Sequence, residues 1–295
     1  MMRIWKAVLA LVLLCALAAG QKDRGVKVYI SADMEGIAGV VDNTQASPAG
    51  RDYAVGRRLM IAEVNAAIAA AFDAGATEVL VNDSHWDQTN LEPDKLDPRA
   101  RLITGAPKPF GMMQGLDDSF AAVMFIGYHA RGSTADGVLD HTYSAELKVV
   151  KLNGREVGEY GLNAALAGHY GVPVIFVSGD RAATEQAKEF IPGVEVAAVK
   201  QGIGRTAALT LPPDVARQLV ADGVKRALGR RSEIKPVSLR LPITLEIELA
   251  SSKQADSCMM VPGMKRVSGR TLSYTGPDME VIYQVSRLIS RLSPE

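Results

Sequence analysis

Cysteine is nearly absent: Cys15 and Cys258 are the only two in 295 residues. Cys15 belongs to an N-terminal segment expected to be removed, which leaves one thiol and no possible intrachain disulfide. The domain must then be held by its core, by metal or by oligomerisation. Cys258 has Met259, Met260 and Val261 beside it and no histidine nearby, so it reads as a packed thiol rather than a nucleophile. Excess charge is also missing, because Lys+Arg and Asp+Glu both number 33. Without a basic surplus to neutralise a phosphate backbone, a nucleic-acid partner is excluded. No apolar run reaches about 18 residues, which excludes a multi-pass membrane protein. There is no internal repeat and no low-complexity tract. What remains is 47% hydrophobic and 22% charged, a globular composition long enough for two domains or one large α/β unit.

Residues 1–20 read as a signal peptide. Arg3 and Lys6 precede the apolar stretch Ala7–Ala19, and Ala16-Leu17-Ala18 offers a small-residue cleavage site. An N-terminal membrane anchor is the competing reading, but the stretch is short for a span. A lipoprotein at Cys15 is disfavoured by the bulky Leu14 before it. The expectation is an exported protein, periplasmic or secreted, with no membrane contact after cleavage. Loss of Arg3 and Lys6 leaves two more acids than bases.

Strand and helix patterns then alternate. Val26–Asp33, Thr77–Asn82, Ala122–Gly127 and Pro173–Val177 are short apolar runs. Leu59–Phe72 is an Ala-rich helix closed by Gly75, and Glu159–Tyr170, Ala182–Phe190 and Asp214–Leu228 are helical. Asn153-Gly154 within LKVVKLNGREV is a strong hairpin signal. The fold class that follows is α/β, a largely parallel sheet sandwiched by helices with an antiparallel hairpin. Composition shifts near 228–236, and Ser238–Leu249 alternates with period two. The expected organisation is a catalytic α/β domain over 26–230 and a smaller α+β domain over 236–295.

Of only four histidines, three stand at or just after strand-like runs: His85 in VNDSHW, His129 in GYHAR and His141 in VLDHTYS. Asp33 and Glu35 follow the first strand two residues apart, so both can face one side. Ligands of open α/β sheets bind outside the carboxyl ends of the strands. Asp33, Glu35, His85 and His129 all map to that edge, and two acids with two imidazoles suit Zn²⁺ or a similar divalent ion. Glu159, at a helix start, is a fifth candidate, although a carboxylate is electrostatically favoured there in any case. His169 reads as a surface or core-edge helix residue.

SADMEG, VNDSH, KPFGMMQGLDDSF, GYHAR and GEYGLNAALAG, in this order and spacing, resemble the bacterial zinc-dependent D-aminopeptidases of the DppA family. The similarity runs from about Lys27 to the C-terminus, including Gln254–Gly263. The resemblance implies a binuclear zinc centre on an α/β domain, two Zn²⁺ per chain, a smaller C-terminal domain and a ring-shaped homo-decamer. It implies that Asp33 bridges both metals, that Glu35 and His85 bind one, and that His129 and Glu159 bind the other. It gives His141 a role beside the metals in catalysis, as proton carrier or nucleophile. The implied substrates are short peptides and amides, with the D preference resting on the resemblance alone.

Two other readings stay open. One keeps the two-metal centre but changes the bond to another amide, a lactone or a phosphoester, and the lack of an arginine cluster weakens the phosphate version. The other is a non-catalytic peptide- or metal-binding protein, which leaves His141 unexplained. Three motifs are set aside. GIGRTA at 202–207 matches a dinucleotide fingerprint, but Asp222, the acid it would need, falls in a helical pattern. Asp117-Asp118 reads as a cap or turn, and Asp180 as a helix N-cap.

Overall fold

Strand β1 (Val26–Ala32) alternates its side chains between two cores. Val28, Ile30 and Ala32 point into one cluster and Tyr29 into the other, the period-two consequence of a pleated strand covered on both faces. A computed structural model describes residues 25–294; the signal segment expected over residues 1–20 lies outside them. After a short helix α1 (Asn43–Ala46) comes α2 (Tyr53–Asp73), longer at its start than the Ala-rich pattern and closed by Gly75 at φ +94°. Strands β2 (Ala76–Asp83), β3 (Arg101–Ile103) and β4 (Ala122–Tyr128) follow.

Next come β5 (Leu147–Leu152), β6 (Arg155–Glu156), α3 (Glu159–His169), β7 (Val174–Asp180) and α4 (Arg181–Phe190). The strands β8 (Glu195–Gly204) and β9 (Ala207–Thr210) lead into α5 (Pro213–Gly229). The chain ends with β10 (Ile243–Leu249), α6 (Ser252–Cys258), β11 (Lys265–Arg266), β12 (Thr271–Gly276) and α7 (Met279–Leu292).

Seven strands form one sheet in the order β3-β2-β1-β4-β7-β8-β9, parallel except for the β8–β9 hairpin. Helices α2 and α5 cover one face, with Met60, Val64, Ile68, Val220 and Val224 in a single cluster with the strands. The other face buries Leu162 and Leu166 of α3 together with the second sheet and α7. This is the α/β architecture expected, with a parallel sheet between layers. β10 begins only after Pro242, later than the alternation suggested, because proline has no amide to enter the ladder.

The hairpin is antiparallel as expected, and it belongs to a second sheet. Its strands do not join the parallel sheet of the 26–230 segment. They pair with β10 in a five-stranded antiparallel sheet, β11-β12-β10-β5-β6, with Leu152 opposite Leu245 and Val150 opposite Ile247. The apolar alternation of β10 needs a partner on each edge. β5 supplies one and buries Leu147, Val150 and Leu152 in the shared core. The second sheet therefore draws on sequence from both sides of residue 230.

The GIGRTA stretch forms the end of β8 and its turn into β9. No helix opens there to receive a pyrophosphate, so the fingerprint match has no structural counterpart. Cys258 is fully buried and unpaired. No helix among the described residues is long and apolar enough to cross a membrane.

Candidate active site

In chain order β1 is followed by β2 on one side and β4 on the other, so the sheet order reverses at β1. A crevice opens at such a point beyond the carboxyl ends of the strands. β1 leads into Asp33 and Glu35, β2 into His85, and β4 into His129. Backbone bonds fix these exits: the Asp33 amide donates to Ile126 O at 2.8 Å and Gly36 to Gly127 O at 2.8 Å. Both glycines are required by close approach. A Cβ on Gly36 would lie 2.0 Å from Tyr128 O, and one on Gly127, at φ +73°, 2.3 Å from Asp33 O.

Asp33 sits between two similar groups. Its Oδ1 lies 3.3 Å from His85 Nδ1, which is 2.9 Å from Glu35 Oε2. Its Oδ2 lies 3.5 Å from His129 Nε2, which is 3.3 Å from Glu159 Oε2. Each group is one imidazole, one glutamate and one oxygen of the shared aspartate. The remaining glutamate oxygens, Glu35 Oε1 and Glu159 Oε1, stand 3.9 and 3.7 Å from His141 Nε2. His141 stacks on His129 with ring centroids 4.0 Å apart.

The structure thus brings together all six residues singled out from the sequence. His169, by contrast, is exposed at the end of α3. Asp180 caps α4 by accepting from the Ala183 amide at 2.9 Å, and Asp117 closes a turn onto the Ser119 amide.

Each imidazole turns one nitrogen to a backbone carbonyl and the other into the cluster. His85 Nε2 donates to Ala46 O at 2.7 Å, His129 Nδ1 to Ala130 O at 2.9 Å, and His141 Nδ1 to Leu139 O at 2.8 Å. That tautomer-fixing contact is the usual companion of a metal-ligating histidine. His129 Nε2 is buried without a hydrogen-bond partner, a cost that an ion would relieve. Ligands around a tetrahedral ion at about 2.1 Å stand roughly 3.4 Å apart, close to the nitrogen–oxygen separations within each group. By donor chemistry and spacing the residues fit divalent metal. Two triads, Asp33-Glu35-His129 and His129-His141-Glu159, bring one ligand atom per residue within 4.8 Å of one another.

The charges are strongly coupled. Burial, with Glu35 and Glu159 alongside, pushes the Asp33 carboxyl up to about 7. Burial also opposes ionisation of Glu35 and Glu159, but the imidazoles outweigh it. His85 holds Glu35 well below the carboxylate range, and His129 takes Glu159 down to about 2. Burial opposes the charge on His129, yet Glu159, Glu35 and Asp33 raise it to about 10; burial likewise opposes the charge on His85, and Glu35 and Asp33 raise it. His141 moves the other way, lowered by burial and by its neighbour His129. It is the neutral imidazole of the three.

Residues whose partners no local pattern shows hold the cluster. Lys200 of β8 is buried and donates to the carbonyls of Glu35, Ile37 and Val40, clamping the segment that carries Glu35. Asp83 accepts from the amides of Asn90 and Leu91 at 2.6 and 2.7 Å and shapes the loop after His85. Ser31, Tyr128, Asn163 and Tyr283 form a buried chain of 2.7 Å hydrogen bonds from β1 through β4 and α3 to α7. They escape a single sequence because a lone lysine in a strand or an asparagine in a helix acquires its partner only through tertiary contact. The cluster floors a cavity of about 480 Å³ whose wall includes Tyr143, Arg205 and Arg287.

Comparison with known proteins identifies the family. The family model for peptidase M55, D-aminopeptidase, matches residues 26–288. The D-aminopeptidase of Bacillus subtilis (strain 168) is 43% identical over 269 residues, covering 91% of this chain and 98% of its own. The solved structure of the Zn-dependent D-aminopeptidase DppA from Bacillus subtilis, a self-compartmentalizing protease, aligns with a TM-score of 0.89 at 43% identity, over 91% of this chain and 98% of that one. With its sequence matched from β1 into α7 and its fold shared, the chain belongs to the M55 peptidase family of D-aminopeptidases.

Proposed function

We propose that the protein is an exported, binuclear zinc aminopeptidase that removes the N-terminal residue, a D-amino acid such as D-Ala, from short peptides and amides. The observation that carries this reading is the division of Asp33 between two matching imidazole–glutamate groups. Asp33, Glu35 and His85 would hold one zinc, and Asp33, His129 and Glu159 the other. When bound, the ions supply Lewis-acid polarisation of the scissile carbonyl and a water acidic enough to react near neutrality.

The protein's own groups do the rest. Backbone carbonyls accept from the far nitrogen of His85 and of His129, so the nitrogen that faces the cluster is the one that would give up its proton to bind metal. His141 Nε2, neutral and 3.7–3.9 Å from the two glutamates, is placed to take a proton at the cavity floor and return it to the departing amine. His129 stacked against it and Leu139 O on Nδ1 hold the ring in that orientation. The D preference and the self-compartmentalising assembly are carried by the relatives, and export by the pattern of residues 1–20. A ring-shaped decamer would exclude folded proteins and suit short peptides.

The test uses protein from about Gln21 onward, with metal quantified on the sample assayed. Paired D-Ala and L-Ala amides and dipeptides are compared with and without chelator. Chelator-sensitive turnover of the D series at about two metals per chain supports the reading. Metal-loaded protein inert on both series would sink it. Light scattering that gave a monomer would remove the decamer, and a cytoplasmic location of the full chain in fractionated cells would remove export.

A further inference from the structure

The lining of this cavity carries a cation with no carboxylate partner among the described residues. Two arginines line the cavity. Arg205 pairs with Asp140 at 3.1 Å. Arg287, on α7, has no carboxylate within 4.0 Å among the described residues, and its buried Nε has no hydrogen-bond partner. Its guanidinium instead lies 4.6 Å from the centre of the Tyr143 ring and packs over Gly111, where an added Cβ would come within 2.8 Å of Nε. Lys108, nearly buried beside it, is occupied by Asn82 Oδ1 and Asp83 O at 2.6 and 2.7 Å and adds positive potential. A half-buried guanidinium without an ionic partner is expensive unless an anion completes it.

Tyr143 ties this cation to the reacting end. Its amide donates to Glu159 Oε1 at 2.6 Å while its ring carries Arg287. One aromatic residue therefore separates the guanidinium from the cluster, a gap that one or two extended residues, at about 3.3–3.6 Å each, would bridge. Ser290, one turn along α7, also lines the cavity and offers a hydroxyl on the same helix face.

We propose that Arg287, with Ser290, binds the C-terminal carboxylate of a di- or tripeptide whose amino end lies over the Asp33–His129 cluster. The planar fork matches a carboxylate bidentately, so peptide length is read by the distance between α7 and the strand ends. This inference rests on the aminopeptidase reading above and names the determinant of its short-peptide specificity.

The test compares D-Ala-Gly with D-Ala-Gly-amide, which differ only at the terminal carboxylate. The zinc-loaded wild type should prefer the free acid in kcat/KM by about 10²-fold, as a charge-assisted pair implies. In Arg287→Met that preference should collapse toward one, mainly through KM for the dipeptide. Arg287→Lys, which keeps charge without the fork, should retain an intermediate preference and decides the matter if the methionine variant does not fold. A role confined to packing on Tyr143 predicts equal losses on both substrates. Either that result or a wild type indifferent to the carboxylate overturns the clamp. A wild type that hydrolyses neither substrate overturns the aminopeptidase reading and the clamp with it.

Discussion

Replacing Lys200 by methionine keeps the length of the stem and removes the ammonium that three carbonyls share. Lys200 is 3% exposed, and its partners are Glu35 O, Ile37 O and Val40 O. A buried acceptor left unpaired costs about 1–3 kcal/mol. Local relaxation of the 35–40 segment recovers part of this, so a loss of about 3–6 kcal/mol in unfolding free energy is expected. The same ammonium is not fully compensated in the native state. Burial lowers its pKa from 10.5 to about 8 even with Asp180, Glu63, Glu35 and Asp33 nearby. Between pH 8 and 10.5 the unfolded chain therefore binds more protons at this site than the folded one. Native stability attributable to Lys200 rises with pH across that window and is lost as pH falls through 8. The rise amounts to about 3 kcal/mol by the pKa difference.

The assay is urea unfolding of wild type and Lys200→Met at pH 7, 8, 9 and 10.5. The difference between the two stabilities isolates this group from the other titrations. It should grow by about 3 kcal/mol from pH 8 to 10.5. Metal content should fall in the variant because the clamped segment carries Glu35. A variant within about 1 kcal/mol of wild type, with a flat difference curve and full metal, would refute the reasoning.

Three further outcomes are expected. His141→Gln should retain folding and metal while kcat falls roughly 10²–10⁴-fold; wild-type turnover would remove His141 from the mechanism. Zinc titrated into metal-free protein at pH 7 should release about two to three protons per chain, because the acids keep His129, at about 10, and His85 protonated and Asp33, at about 7, is partly protonated. Calorimetry in buffers of different ionisation enthalpy measures the number, and release of none would contradict the proposed ligand set. Gly127→Ala adds a Cβ at φ +73° and 2.3 Å from Asp33 O, so Asp33 must move. A loss of 3 kcal/mol or more is expected, from strain of about 1–2 kcal/mol plus the clash, together with loss of metal. An unchanged melting temperature would show that the close approach is not needed.

Much of this was legible in the chain because it is local. Short apolar runs and Ala-rich periodicity specify β1, β2, β4 and α2, since period two and period 3.6 are properties of neighbouring residues. Asp33, Glu35, His85 and His129 stand out because each directly follows such a run, and a parallel sheet puts all strand ends on one edge. The division of Asp33 between two imidazoles, and the neutrality of His141 beside a charged His129, are matters of Ångström distances across four elements. The hairpin at Asn153-Gly154 could be read locally, but not the sheet it enters. That depended on the edge of β10, about ninety residues away, which no local pattern encodes. Lys200 and Arg287 lie outside every motif, and Asp83 sits inside VNDSH with nothing local to mark its role. A buried ammonium, an amide-binding aspartate and an unpaired guanidinium are defined by what surrounds them, and their surroundings exist only once the chain has folded.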